Sequence, residues 1–175
     1  LTLSKKNNRV RLDVKSEHDQ PLSAKLHLEW KLDLQHRPKL YFLSVGVSDF
    51  QKYDKRLEFA DDDAREISRT LQEQPLIFHK VIGRRLLDHE ATRGQILREL
   101  AQLRERHQKR EINAWDLVLI TLSGHGVCDP EYCFLPYDYD PEMKEDRRVS
   151  ASDMLVQLKE LPCQIVLFVD TCHAG

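Results

Sequence analysis

No apolar run in this sequence approaches the ~18 residues that a membrane-spanning helix needs, so no membrane contact is expected. No signal peptide opens the chain. Nor is there an excess of one charge: 27 basic residues nearly cancel 29 acidic ones, for a net charge of −2. A nucleic-acid footprint would show as a basic surplus, and no nucleic-acid partner is expected. Glycine is scarce, six residues in all, and none builds a phosphate-cradling loop, which counts against a flavodoxin-like binding domain. Cysteine is scarce as well. The four thiols, Cys128, Cys133, Cys163 and Cys172, belong to a domain large enough to fold without disulfide staples. Free thiols in a reducing cytosol are the simplest reading, and the expected location is cytoplasmic.

What is present is core material with clear periodicity. A 41% hydrophobic share over 175 residues is enough for one domain with an appendage. Residues 1–38 stand apart. Val10, Leu12 and Val14 alternate with charged residues, and after a polar break at Ser16 to Pro21 the alternation resumes through Leu22, Ala24, Leu26, Leu28, Trp30, Leu32 and Leu34. That period of two predicts a long amphipathic β-hairpin. It is marginal alone in water, so it reads as a flap on the larger domain or as the tail of an upstream one. Arg37-Pro38 marks the boundary, and residues 39–175 are expected to form an α/β domain.

Within that domain Lys39 to Ser48 reads as a first strand, followed by a polar, basic loop from Asp49 to Glu58. Ala60, Ala64, Ile67 and Leu71 fall on one stripe of a helix, with Asp61, Asp62 and Asp63 where the helix dipole favours carboxylates. Residues 79–88 mix apolar and basic side chains, as a strand near a sheet edge does. Thr92 and Gln95 have capping-box spacing and open a helix that turns Ile96, Leu97, Leu100 and Leu103 inward. Leu117 to Leu122 reads as a buried strand. Residues 127–149 are acidic and aromatic, with a short hairpin expected at Phe134-Leu135-Pro136-Tyr137. Ser150 and Asp153 cap a helix with Met154, Leu155, Leu158 and Leu161 on its apolar side, ended by Pro162. Ile165 to Val169 reads as a second fully buried strand. This order predicts a mainly parallel sheet with helices on both faces and right-handed crossovers.

Both buried strands run into reactive residues. The first ends in Ser123-Gly124-His125-Gly126, the second in Asp170-Thr171-Cys172-His173-Ala174-Gly175. Ligands of open α/β sheets bind outside the carboxyl ends of the strands. A Cys and a His delivered there can act as nucleophile and base. The thiolate attacks an amide carbonyl, and the imidazole passes the proton to the leaving amine. Gly124 and Gly126 let the backbone turn and come close to a substrate. The usual fate of a lone cysteine is a buried structural role, which suits Cys163 but not Cys172, placed past a strand end. His173 adjoins the nucleophile, points away from it in extended backbone, and reads as structural.

The two motifs, with Cys172 47 residues after His125, resemble the catalytic motifs of the caspase-like cysteine peptidases. The likeness is nearer to metacaspases and bacterial caspase homologues than to animal caspases. The animal motif is Gln-Ala-Cys, a variable residue and Gly, with the His about 50 residues upstream; here Asp170 stands in the place of that Gln. The resemblance implies a caspase-like three-layer α/β/α fold with strands 39–48, 117–122 and 165–169 as neighbours. It implies a cysteine endopeptidase with His125 and Cys172 as its dyad. It further implies an oxyanion hole from the backbone N–H groups of Gly126 and Cys172, donors worth roughly 3–4 kcal/mol each. Asp63, Ser123 and Asp170 match a metacaspase pocket for Arg or Lys at P1, the residue before the scissile bond. Two carboxylates in one pocket suit a guanidinium and repel an acidic side chain. The plainer roles are a helix-end carboxylate for Asp63 and a loop cap for Asp170; Asp61 and Asp62 read as surface. No third triad carboxylate is evident.

The resemblance also implies partners: a protein or peptide substrate with basic P1, a small-subunit segment bringing two further strands, and an upstream regulatory module. The chain starts at Leu1 rather than Met and stops three residues past Cys172, so a large-subunit portion of a longer or processed chain is expected. No cofactor and no metal ligand are assigned. His125, Cys128 and Cys133 lack the fourth ligand and the spacing of a zinc site. Calcium activates some metacaspases, and Asp129, Glu131, Asp138, Asp140 and Glu142 offer oxygens, but not at the spacing of a known calcium loop. Calcium activation therefore stays open. The rival reading is a non-catalytic caspase-like adaptor, against which the intact pair of motifs stands.

Overall fold

The structure of the protein, a computed structural model, describes residues 10–15, 21–26, 37–73, 77–143 and 147–171. The chain divides into two compact units between His36 and Arg37. In the first, β1 (Val10–Lys15) and β2 (Pro21–Leu26) pair antiparallel, with Val10 opposite Leu26 and Lys15 opposite Pro21. The rest of the expected second strand, up to Leu34, lies outside the described residues.

The second unit runs through β3 (Lys39–Gly46), α1 (Ala60–Gln72), β4 (Lys80–Leu87), α2 (Arg93–Gln108) and β5 (Leu117–Gly124). Next come β6 (Gly126–Cys128), β7 (Tyr132–Phe134), β8 (Val149–Ser150), α3 (Ala151–Leu158) and β9 (Gln164–Thr171). Four strands form a parallel sheet in the order β4-β3-β5-β9. The two strands that carry the motifs are thus neighbours, and the strand with basic residues takes an edge. Among the described residues no helix is long and apolar enough to cross a membrane.

Alternation along the strands splits the sheet into two faces. Tyr41, Leu43 and Val45 of β3 and Val118, Ile120 and Leu122 of β5 join Ile96, Leu100 and Leu103 of α2 and Met154 and Leu158 of α3 in the main core. The opposite face, under α1, is tighter and partly polar. There the Ser44 hydroxyl donates to the Ala64 carbonyl at 3.0 Å and shares a 2.8 Å hydrogen bond with Thr121 Oγ1. The inward residues of α1 are Ala60, Ala64 and Ser68, while Ile67 and Leu71 are only half-buried. Small side chains win this stripe because the helix lies close to the sheet. A Cβ on Gly46 would come within 2.3 Å of the Ala60 carbonyl oxygen. Ser68 is tolerated because its hydroxyl donates to the Ala64 carbonyl at 2.8 Å.

Four local expectations are corrected. The strand at 165–169 is not fully buried: among the described residues β9 is an edge strand, with Val166, Leu167 and Phe168 exposed by 38, 44 and 58%. Helix α1 packs mainly over β3, β4 and β5, and α3 on α2 and β8, while Ile165 and Val169 of β9 are partly buried against the main core. The hairpin in 127–149 comes earlier than Phe134–Tyr137. It pairs β6 with β7 and adds β8, turning near Pro130, which cannot supply a ladder N–H, while Phe134 and Leu135 are buried. The Thr92–Gln95 box closes on one side only. Thr92 Oγ1 accepts from the Gln95 N–H at 3.3 Å, but the Gln95 side chain bonds Glu99 and Arg98 instead. The Ser150–Asp153 box does close, at 3.0 and 3.1 Å. On α3 Leu155 points outward, 62% exposed.

Candidate active site

Strands β5 and β9 run abreast to their carboxyl ends, Ser123 opposite Asp170 and Gly124 opposite Thr171. The next residues in sequence are His125 and Cys172. Cys172 and His173 lie outside the described residues. Gly124 has φ +154°, a region that side chains disfavour, and a Cβ there would press on the Phe134 ring at 3.1 Å. This glycine turn carries His125 off the end of the sheet.

The imidazole is held on one side by main chain. His125 Nε2 lies 2.9 Å from the Lys55 carbonyl oxygen. A carbonyl can only accept, so Nε2 carries the hydrogen, and in the neutral ring Nδ1 is then the acceptor. The ring centroids of Phe50 and Tyr53 lie 5.4 and 5.6 Å from it, at 33° and 85°. The 49–58 loop, polar and basic in sequence, therefore walls the site. Its two aromatics were the signal available; the carbonyl leaves none, since every residue has one.

Gly126 begins β6, opposite Phe134 of β7. The Leu135 N–H donates to the His125 carbonyl at 2.9 Å. In an antiparallel ladder bonded and non-bonded pairs alternate, so 126 and 134 form a non-bonded pair and the Gly126 N–H points away from β7. At the end of β9, the Tyr132 hydroxyl and Thr171 Oγ1 share a 3.0 Å hydrogen bond, one residue before Cys172 in sequence.

An open pocket of ≈ 240 Å³ adjoins the same strand ends, lined by Asp63, Glu66, Ile67, Ser123, Phe168 and Asp170 among others. The three expected residues, Asp63, Ser123 and Asp170, meet here. Asp63 also sits in the first turn of α1, so its plainer role is present as well. Glu66 was not expected; it lies three residues beyond Asp63, on the same helix face. Arg69 bonds it at 2.7 Å and holds its carboxyl below the usual range. Asp61 is not a plain surface carboxylate: it accepts from the Ser48 hydroxyl at 2.7 Å, which, ahead of the Arg65 guanidinium, draws its pKa down.

In the acidic segment after β6, three of the carboxylates have protein partners. Glu131 accepts from the Ser152 N–H and hydroxyl, Asp138 from the Arg93 N–H and the Arg147 guanidinium, and Asp140 from Lys52. Those oxygens are already committed to protein partners. Cys128 is exposed and Cys133 buried, each a free thiol.

A parallel sheet between helices, with a Gly-His-Gly turn and an acidic pocket at neighbouring strand ends, is the caspase-like class of α/β/α domain. A family model of the caspase domain, peptidase family C14, matches residues 41–175, and the chain belongs to that family. The fold is similar to that of a protein of known crystal structure from Geobacter sulfurreducens, with a TM-score of 0.61 at 16% identity, over 79% of this chain and 52% of that one. At that identity the likeness is one of fold, and this chain spans about half the length of that protein. No curated protein matches the sequence.

Proposed function

We propose that this caspase domain is the catalytic portion of a cysteine endopeptidase that cuts after Arg or Lys. The observation that supports the reading is the β5–β9 register, which sets Gly124 beside Thr171 at the carboxyl ends of the two strands, the residues that precede His125 and Cys172 in sequence. In this mechanism the neutral His125 ring, held as the Nε2–H tautomer by the Lys55 carbonyl, takes the proton of the Cys172 thiol on Nδ1. The thiolate attacks the P1 carbonyl carbon, and the oxyanion receives the N–H of Gly126 together with that of Cys172. Collapse breaks the C–N bond, and His125 returns the proton to the leaving amine. Water then attacks the thioester with His125 as base, releasing the acid and regenerating the thiol.

The basic P1 preference is supported by the pocket, where Asp63 and Asp170 approach from different elements. A second segment is part of the proposal. The outer edge of β9 and its exposed apolar side chains suit further strands of the same sheet, supplied by a continuation of the chain acting as the small subunit. The test is cleavage of matched peptide reporters with Arg, Lys or Asp at P1 by the full-length protein, with Cys172→Ala as control. Arg or Lys cleavage that disappears in the control is the expected result. Asp cleavage would keep the chemistry and remove the acidic pocket from it. Intact reporters throughout would leave a non-catalytic adaptor as the better reading.

A further inference from the structure

Three consecutive residues of the 49–58 loop are fastened to one short stretch beyond β7. The Gln51 N–H donates to the Tyr137 carbonyl at 2.9 Å. The Lys52 ammonium donates to Asp140 Oδ2 at 2.7 Å. The Tyr53 ring packs edge-on against Tyr139, with centroids 5.4 Å apart at 84°. The same loop also holds His125: Tyr53 and Phe50 flank the imidazole, and Lys55 offers its carbonyl to Nε2. The loop is thus a bridge from the 137–140 stretch to the histidine.

Of the three fastenings only the second is charge-assisted, and it is asymmetric. The Asp140 side chain is 8% exposed, that of Lys52 61%. Asp140 is also fixed by its own main chain, its Oδ1 accepting from the Glu142 N–H at 3.0 Å. The carboxylate is a buried anchor and the lysine reaches down to it. A buried carboxylate that loses its cation is costly to leave as it is, so removal of Lys52 favours rearrangement of this stretch and of the loop resting on it.

We propose that the Lys52–Asp140 ion pair is a positioning device for His125: it holds the loop so that the Lys55 carbonyl keeps the neutral imidazole in the Nε2–H tautomer, with Nδ1 left as its proton acceptor. This rests on His125 being the base. Neither Lys52 nor Asp140 lines the acidic pocket, so the pair acts on turnover and not on substrate binding. Loss of a catalytic group's orientation by about 1 Å lowers rates by around 100-fold.

The experiment uses the full-length protein with ¹⁵N-labelled histidine, as wild type, Lys52→Met and Lys52→Arg, with the His125 signals assigned by their loss in His125→Ala. Long-range ¹⁵N–¹H correlation reads the tautomer of the neutral ring, and peptide reporters give kcat and KM. The expected result is a pure Nε2–H form in the wild type and a mixture in Lys52→Met. There kcat falls about 10- to 100-fold with KM within twofold, and Lys52→Arg restores both tautomer and kcat. An unchanged tautomer in Lys52→Met overturns the proposal, whatever the rate does. A loss that Arg leaves unrestored overturns it too. If the wild type cleaves no reporter, it is the assignment of His125 as base that fails, and the tautomer comparison still decides the ion pair's role.

Discussion

Asp63 and Asp170 reach the pocket from the first turn of α1 and the end of β9. A guanidinium between them makes charge-assisted hydrogen bonds of about 1.5–3 kcal/mol each. Asp170→Asn and Asp63→Asn each lower kcat/KM on an Arg reporter by about 10- to 100-fold on that basis, with little change on an uncharged P1 residue; equal losses on both reporters would make the two carboxylates structural. Glu66→Gln has a smaller effect, because Glu66 is exposed and already paired with Arg69. Asp61 belongs to stability. Its folded pKa lies below that of an ordinary carboxylate, so its contribution is fully present above the unfolded pKa of about 3.9 and is lost as pH falls through the lower folded value. Asp61→Asn therefore flattens the decline in denaturation midpoint on the acid side of that range, and a parallel decline in the variant would remove the assignment. The three pocket residues were named through the resemblance to metacaspase motifs, and all three line the one pocket. The Lys55 carbonyl was not, since a main-chain acceptor carries no residue identity.

Helix α3 starts at a closed capping box and α2 at a half-closed one, and the difference has a measurable size. An N-cap serine or threonine replaced by alanine costs about 1 kcal/mol. Ser150→Ala removes the partner of the Asp153 N–H and unbalances the reciprocal bond, so it costs at least that much. Thr92→Ala loses a single 3.3 Å bond and costs less; denaturant titration of the two variants checks the order. Gly46→Ala is expected to be worse than either, because the Cβ has no space beside the Ala60 carbonyl. Element existence and order were readable from apolar periodicity, since a stripe or a run forms before any neighbour is specified. What periodicity left out was coverage. The runs at β5 and β9 look alike, yet β5 lies between two strands and β9 has one. It also missed that Ser68 replaces Ile67 on the inner stripe of α1, which depends on how near the helix lies to Gly46. The β6–β7 pairing was displaced because two short strands offer too few residues for a period to register.

At the scale of the whole chain the bare edge of β9 governs behaviour in solution. Its outward backbone groups have no strand beside them among the described residues, and Val166, Leu167 and Phe168 add apolar surface on both faces. Such an edge is a template for pairing with another chain unless it is covered. The 175-residue chain alone is therefore expected to self-associate, with a sedimentation coefficient that rises with concentration. A chain that carries the small-subunit strands proposed above is expected to stay monomeric, because one of them would occupy the edge. Leu167→Lys separates this cause from others. It places a charge on the uncovered strand without touching the residues that line the acidic pocket, and it lowers association of the 175-residue chain while leaving the longer one unchanged. A 175-residue chain that sediments as a monomer at every concentration would mean that β9 needs no partner. The edge would then be free for the proposed substrate, whose extended backbone can itself add to a sheet edge.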